Sequence, residues 1–135
     1  LRIRGGGAGM RGPPGGNLRI DGPRLLARLA DLARIGATPE GGCRRLALTE
    51  EDGRGRDWLV AQMRALGLYV RIDRVGNIVG LLAGQEEGPA VVLGSHIDTV
   101  ATGGRFDGAL GVVGGLEVIA ALRDIYDPEI PVNIY

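Results

Sequence analysis

Apolar residues in the first part of the chain recur at the spacing of an α-helix. Leu25, Leu29 and Leu32 fall on one helical face. Asp21 precedes them as a favourable N-cap, and Gly36 follows as a common helix stop. The pattern predicts a first helix between these two residues, with its leucines directed into a hydrophobic core.

A second helix is predicted after a loop that is rich in Thr, Pro and Gly and contains Cys43. Thr49 is a preferred N-cap, and the three acidic residues after it would complement the helix dipole in the first turn. The core-facing residues follow at helical spacing: Leu59, Met63 and Leu66. We expect this helix to end at Gly67.

Strands follow the two helices. Leu68, Val70 and Ile72 alternate with polar residues, and a Gly-Asn pair at 76–77 separates them from the apolar residues of 78–83, which predicts a β-hairpin. The continuous apolar run 89–93 predicts a buried third strand. Residues 131–135 read as the start of another strand.

Helical spacing returns between the last two predicted strands, in residues 109–122. One apolar face is formed by Leu110, Val113, Leu116 and Ala120. Glycines recur every three or four residues from Gly108 to Gly115, which indicates close approach of this helix to the sheet or to a site. The order α-α-β-β-β-α-β predicts an α/β fold.

Composition narrows the class of protein. The 135 residues suit one domain, and residues 1–17, rich in Gly, Pro and Arg, are expected to be a disordered leader. Equal numbers of basic and acidic residues, 16 each, and 4% aromatic residues argue against nucleic-acid binding. No apolar run reaches the ~20 residues of a membrane span, and the single cysteine favours a cytoplasmic location.

The candidate chemistry lies between the predicted third strand and the last helix. His96, the only histidine, emerges where that strand would end, which is where open α/β sheets place their ligands. Asp98 lies on the same side of an extended backbone and can orient the imidazole, while Asp107 follows in a Gly-rich loop. These residue types suit a metal half-site, although zinc takes at least three protein ligands.

Other roles remain open for these residues. His96 could be a structural histidine, Asp98 could close an Asx-turn, and Asp107 could cap the last helix. A nucleophilic Ser95 lacks the glycine pattern of a nucleophile elbow, and Cys43 has only the distant His96 as a base. The glycines after residue 102 do not follow a phosphate-loop motif.

The stretch from 94 to 117 resembles the co-catalytic zinc superfamily of aminoacylases and carboxypeptidase G. Within it, GSHIDT at 94–99, GGRFDG at 103–108 and GLE at 115–117 are most similar to the hydantoinase/carbamoylase amidases. ARIGAT at 33–38, LTEED at 48–52 and RVGN at 74–77 are similar to the same family. The resemblance covers residues 18–135.

The resemblance implies a role for each matched residue. His96 would ligate one zinc, Asp107 would bridge two ions, and Asp98 would be the catalytic carboxylate that orients His96. The family's general base is a Glu in an acidic pair that would follow the strand beginning near Val132. We therefore expect residues 18–135 to be the N-terminal part of a phosphorylase/hydrolase-like α/β domain, a mixed sheet flanked by helices that is truncated after the metal-motif helix.

The resemblance also implies a function. The complete enzyme would hydrolyse linear C–N bonds, as an N-carbamoyl-L-amino acid hydrolase or allantoate amidohydrolase does, with two Zn²⁺ ions or with Mn²⁺, Co²⁺ or Ni²⁺. It would be a homodimer that acts on a small molecule, with no nucleic-acid or membrane partner. The chain alone, without the lid domain and remaining ligands, is expected to be inactive. A metallopeptidase or dipeptidase, or a noncatalytic binding module, is the alternative.

Overall fold

Three helices and a two-stranded sheet are formed by residues 19–83 and 89–125, which the computed structural model describes. Their bounds are α1 Gly22–Ala33, α2 Glu50–Ala65, β1 Tyr69–Ile72, β2 Ile78–Leu81 and α3 Ala109–Ile125. Within these residues, no helix combines the length and apolarity needed to cross a bilayer. The expectations for residues 1–17 and 131–135 lie outside the described residues.

Both N-terminal helices begin at the capping residues that the sequence indicates. The Asp21 carboxylate accepts a hydrogen bond from the backbone N–H of Arg24 at 2.9 Å, which satisfies an otherwise unpaired donor of the first turn of α1. Thr49 caps α2 in the same way, through the N–H of Asp52. Leu29 and Leu32 of α1 are buried, as predicted.

The β-hairpin forms in the predicted place. Its strands are antiparallel, with Tyr69 opposite Leu81 and Ile72 opposite Ile78. The Asp73 carboxylate accepts hydrogen bonds at the turn from the backbone and side chain of Asn77, at 2.9 and 2.8 Å. These bonds hold the pKa of Asp73 below its usual value, and the bond from the Asn77 side chain has the largest effect.

The predicted third strand is wrong for the described residues. Residues 89–100 are not assigned to a strand, and Val91 and Val92 are 90% and 86% exposed. An apolar run becomes a buried strand only when neighbouring strands pair with both of its edges, and the sheet of the described residues contains β1 and β2 alone. The α/β class is confirmed, and its sheet here is this one antiparallel hairpin.

The buried face of α3 differs from the predicted one at its start. Leu110 is 50% exposed, and the neighbouring Ala109 is buried instead. The helix contributes Val113 and Leu116 to a core that also includes Leu32 of α1 and Leu59 of α2. The core therefore joins all three helices and fixes the start of α3, where the candidate site lies.

A buried carboxylate also joins α1 to α3. Glu117 is 0% exposed, and its oxygens accept hydrogen bonds from Arg24 at 2.7 Å and from Arg28 at 3.0 Å. The backbone N–H of Asp21 donates to the same carboxylate at 3.1 Å. The hydrogen bond from Arg24 is the main cause that lowers the pKa of Glu117, against the opposing effect of burial.

Two glycines of α3 lead to opposite expectations. A Cβ at Gly114 would meet nothing within 4 Å, so Gly114→Ala is expected to raise the free energy of unfolding by about 0.5–1 kcal/mol through helix propensity. A Cβ at Gly111 would lie 2.7 Å from Cβ of Ser95, so Gly111→Ala is expected to destabilise. Urea denaturation of both variants checks this, and equal effects of one sign would contradict the described packing.

Candidate metal site

The backbone from 96 to 98 presents two polar side chains together. Ile97 is buried in the core, 7% exposed, so His96 and Asp98 on either side of it point the opposite way. Nδ1 of His96 lies 3.3 Å from Oδ1 of Asp98 and 3.0 Å from the Asp98 carbonyl oxygen. The side-by-side placement expected from the sequence is present.

This contact determines which nitrogen of His96 is available. Both groups that face Nδ1 are hydrogen-bond acceptors, so this contact favours the tautomer in which Nδ1 carries the proton and donates it to them. The lone pair then resides on Nε2, the atom through which an oriented histidine can bind a metal. The side chains of His96 and Asp98 are 52% and 46% exposed, so solvent and solutes reach the imidazole.

Asp107 adjoins the same imidazole through its neighbour in the chain. Gly108 has φ +64°, and a Cβ there would lie 2.4 Å from Cε1 and 2.5 Å from Nδ1 of His96. The backbone of Gly108, the residue after Asp107, therefore lies directly against the Cε1–Nδ1 edge of the ring. Within the described residues, the Asp107 carboxylate makes no hydrogen bond, so nothing in the geometry supports a helix-capping role for it.

The residues present fit half of a metal site. His96 offers an imidazole nitrogen and Asp107 an exposed carboxylate, which are donor types that zinc accepts. The carboxylate of Asp98 faces the other ring nitrogen. In residues 19–83 and 89–125, no three His, Cys, Asp or Glu side chains come close enough to hold an ion by themselves.

Comparison with known proteins shows which families this chain is similar to. The model of Peptidase family M28 matches residues 77–135. The chain is 43% identical over 106 residues to the N-carbamoyl-L-amino acid amidohydrolase of Geobacillus stearothermophilus, covering 78% of this chain and 26% of that protein. It is 41% identical over 102 residues to the allantoate amidohydrolase of Bacillus subtilis, covering 70% and 23%.

A solved structure agrees in fold as well as in sequence. The chain is similar to a hydantoinase/carbamoylase family amidase from Burkholderia ambifaria, with a TM-score of 0.76 and 54% identity. The match covers 79% of this chain and 27% of that one. This chain belongs to the hydantoinase/carbamoylase amidase family. It spans about a quarter of the length of the relatives it matches.

Neither nucleophile candidate, Cys43 or Ser95, has the surroundings that a catalytic nucleophile needs. Cys43 is 0% exposed, and its thiol donates to the carbonyl oxygen of Ile35 at 3.4 Å, so it is a core residue. Ser95 packs against α3 at Gly111. The described partners of the His96 imidazole are atoms of Asp98, which leaves Ser95 without a base.

Sequence reasoning missed two buried residues, Thr99 and Arg45, beside the segment that contains His96 and Asp98. The Thr99 hydroxyl accepts a hydrogen bond from the backbone N–H of Arg45 at 2.7 Å, and it contacts the carbonyl oxygen of Cys43 at 3.1 Å. The side chain of Arg45 also enters the core, at 1% exposure. Arginine in a polar loop is typical of a solvent-facing residue, so no local pattern marks its burial.

Proposed function

We propose that this chain supplies half of the metal centre of an amidohydrolase that cleaves a linear C–N bond. The observation that carries the proposal is the contact of His96 Nδ1 with Asp98, which leaves Nε2 as the ring nitrogen that could bind a metal. The names of the matched relatives indicate the substrate class, an N-carbamoyl-L-amino acid or allantoate. Because the chain spans a quarter of those relatives, the activity belongs to the complete enzyme.

The proposed roles of His96 and Asp107 as ligands are those that the family resemblance implies, and the contact between His96 and Asp98 supports the role of Asp98. Nε2 of His96 and the Asp107 carboxylate would hold Zn²⁺, with Mn²⁺, Co²⁺ or Ni²⁺ as alternatives and with Asp107 shared by two ions. When bound, the ions supply a water of lowered pKa and polarise the carbonyl under attack. Asp98 keeps the proton on Nδ1 and makes Nε2 a stronger donor to a cation.

We further propose that the complete enzyme is a cytoplasmic homodimer that acts on a small molecule, without a nucleic-acid or membrane partner. The substrates in the names of the relatives are small molecules, which supports a small-molecule substrate here. The balance of 16 basic and 16 acidic residues supports the absence of a nucleic-acid partner.

A peptidase is the second candidate. The match of residues 77–135 to Peptidase family M28 favours it, because that region contains His96, Asp98 and Asp107. The residues of this half-site suit hydrolysis of either bond, since both reactions require a metal-bound water and a polarised carbonyl.

Assays of the complete coding sequence that contains residues 1–135 test the proposal. The purified protein is depleted of metal with a chelator and assayed on N-carbamoyl-L-amino acids, allantoate and dipeptides before and after Zn²⁺, Mn²⁺ or Co²⁺ is restored. We expect metal-dependent hydrolysis of a carbamoyl or ureido substrate. Hydrolysis of dipeptides alone would favour the peptidase, and activity that survives metal depletion would contradict both.

Asp98→Asn is expected to weaken metal binding by about 10- to 100-fold, the usual loss when a histidine ligand loses its outer partner. The amide keeps the size of the side chain but removes the charge that stabilises the Nδ1 proton of His96. Isothermal titration of Zn²⁺ into the metal-depleted protein measures the change. Asp57→Asn, at an exposed carboxylate on α2, is the matched control and should leave the affinity unchanged.

A further inference from the structure

We propose that Arg45 is a positioning residue for the candidate metal site, an inference that rests on the proposed function of His96 and Asp98. Arg45 lies in the loop between α1 and α2, far from the metal motif in sequence. Its side chain is 1% exposed and reaches the backbone of the motif from the core side. It acts through the Ile97 peptide and touches neither proposed ligand.

The guanidinium joins the motif to the end of α1. Nε donates to the carbonyl oxygen of Ile97 at 2.7 Å. Nη1 donates to the carbonyl oxygens of Leu32 and Ile35 at 3.0 and 2.6 Å, which lie in the last turn of α1 and just after it. One planar group therefore joins two carbonyls at the end of α1 to the peptide between His96 and Asp98.

The main chain of Arg45 holds the other side of the same segment. Its N–H donates to the Thr99 hydroxyl at 2.7 Å, and its carbonyl oxygen accepts from the Thr99 N–H at 2.8 Å. Two residues earlier in this loop, the N–H of Cys43 donates to the carbonyl oxygen of Gly103 at 2.9 Å. The backbone from 97 to 103 is thus bound at three points to the loop that contains Arg45.

The partners of Arg45 favour a positioning role over an ion pair. In the part of the chain that the structure describes, its guanidinium contacts three carbonyl oxygens and the thiol of Cys43 at 3.3 Å, and no carboxylate. The negative end of the α1 dipole offsets its charge. A fork of N–H donors that reaches carbonyls on two separate segments fixes their relative placement, which a lysine ammonium cannot reproduce.

Helix α2 closes the remaining side of the Arg45 side chain. A Cβ at Gly55 would lie 2.7 Å from Cδ and 3.1 Å from Nε of Arg45, whereas a Cβ at Gly53 would meet nothing within 4 Å. Both glycines belong to α2, so helix propensity changes equally in the two alanine variants. Gly55→Ala therefore perturbs Arg45, and Gly53→Ala is its matched control.

Nuclear magnetic resonance of His96 tests the role, because the chain contains one histidine and gives one imidazole signal. Long-range ¹H–¹⁵N spectra are recorded for the parent chain, Arg45→Met, Arg45→Lys, Gly55→Ala and Gly53→Ala, without metal and during titration with Zn²⁺. We expect both Arg45 variants and Gly55→Ala to gain the Nε2–H tautomer and to bind Zn²⁺ about 10-fold more weakly, the lower end of the loss for an outer partner. Gly53→Ala should match the parent.

A merely structural role has a different outcome. The Arg45 variants would then lower the midpoint of urea denaturation, while the tautomer of His96 and the Zn²⁺ affinity of the folded chain stay at parent values. That result would overturn the proposal. If Arg45→Met does not fold, equal spectra for Gly55→Ala and Gly53→Ala would overturn it instead. The proposed function is tested separately, by metal-dependent hydrolysis in the complete protein, and the metal-free tautomer decides the role of Arg45 whatever that assay shows.

Discussion

Glu117→Gln is expected to lower the free energy of unfolding by about 2–4 kcal/mol at neutral pH, because it leaves Arg24 and Arg28 facing an amide in place of a buried carboxylate. This loss lies toward the lower end of the cost of breaking a buried ion pair, because the Arg24 side chain is 34% exposed and partly solvated. Urea denaturation measures the difference. Glu51→Gln, which removes the exposed pair with Arg54, is the control and should cost less than about 1 kcal/mol.

The difference in stability between the parent and Glu117→Gln should shrink as the pH falls. The hydrogen bond from Arg24 lowers the folded-state pKa of Glu117 below the ordinary value of 4.5, so the unfolded chain takes up the proton first as the pH falls. The stabilisation is complete above the ordinary pKa and is lost as the pH falls through the lowered one. The parent and the Gln variant should therefore converge in acid, and a constant difference would contradict the ion pair.

Gly108→Ala is expected to destabilise the chain by more than about 2 kcal/mol and to displace His96. The residue has φ +64°, which costs an L-residue roughly 1–2 kcal/mol, and its Cβ would lie 2.5 Å from the carbonyl oxygen of His96. That oxygen is backbone and cannot rotate away. Urea denaturation and the imidazole ¹⁵N shifts of His96 measure the two effects.

Gly104→Ala is the control for this variant. A Cβ at Gly104 would meet nothing within 4 Å, and its φ lies outside the left-handed region. It should leave both stability and the His96 signal near parent values. An unchanged His96 spectrum in Gly108→Ala would show that the peptide after Asp107 does not lie against the imidazole.

The features that the sequence predicted depend on neighbours along the chain. The caps at Asp21 and Thr49 each bond an N–H three residues away, so both helices could be located from local pattern. The His96 and Asp98 contact spans two residues and follows from alternation in an extended backbone. The hairpin is equally local.

The features that sequence reasoning missed depend on residues far apart in the chain. Arg45 binds Ile97 across 52 positions, and Arg24 binds Glu117 across 93. A charged residue that becomes buried by such a contact has no periodic signature. The exposed run 91–93 shows the opposite error, because apolar character indicates a buried strand without identifying the strands that would pair with it.

The central claim is that His96 presents Nε2 to a cation beside Asp107 while Asp98 holds the proton on Nδ1. The most direct test is a Zn²⁺ titration of the parent chain and of Asp107→Asn, followed through the two imidazole ¹⁵N resonances of its one histidine. We expect the Nδ1–H tautomer without metal, a Zn²⁺-dependent shift of Nε2, and a weaker response in Asp107→Asn. A proton on Nε2 without metal, or equal responses of the parent and Asp107→Asn to Zn²⁺, would contradict the claim.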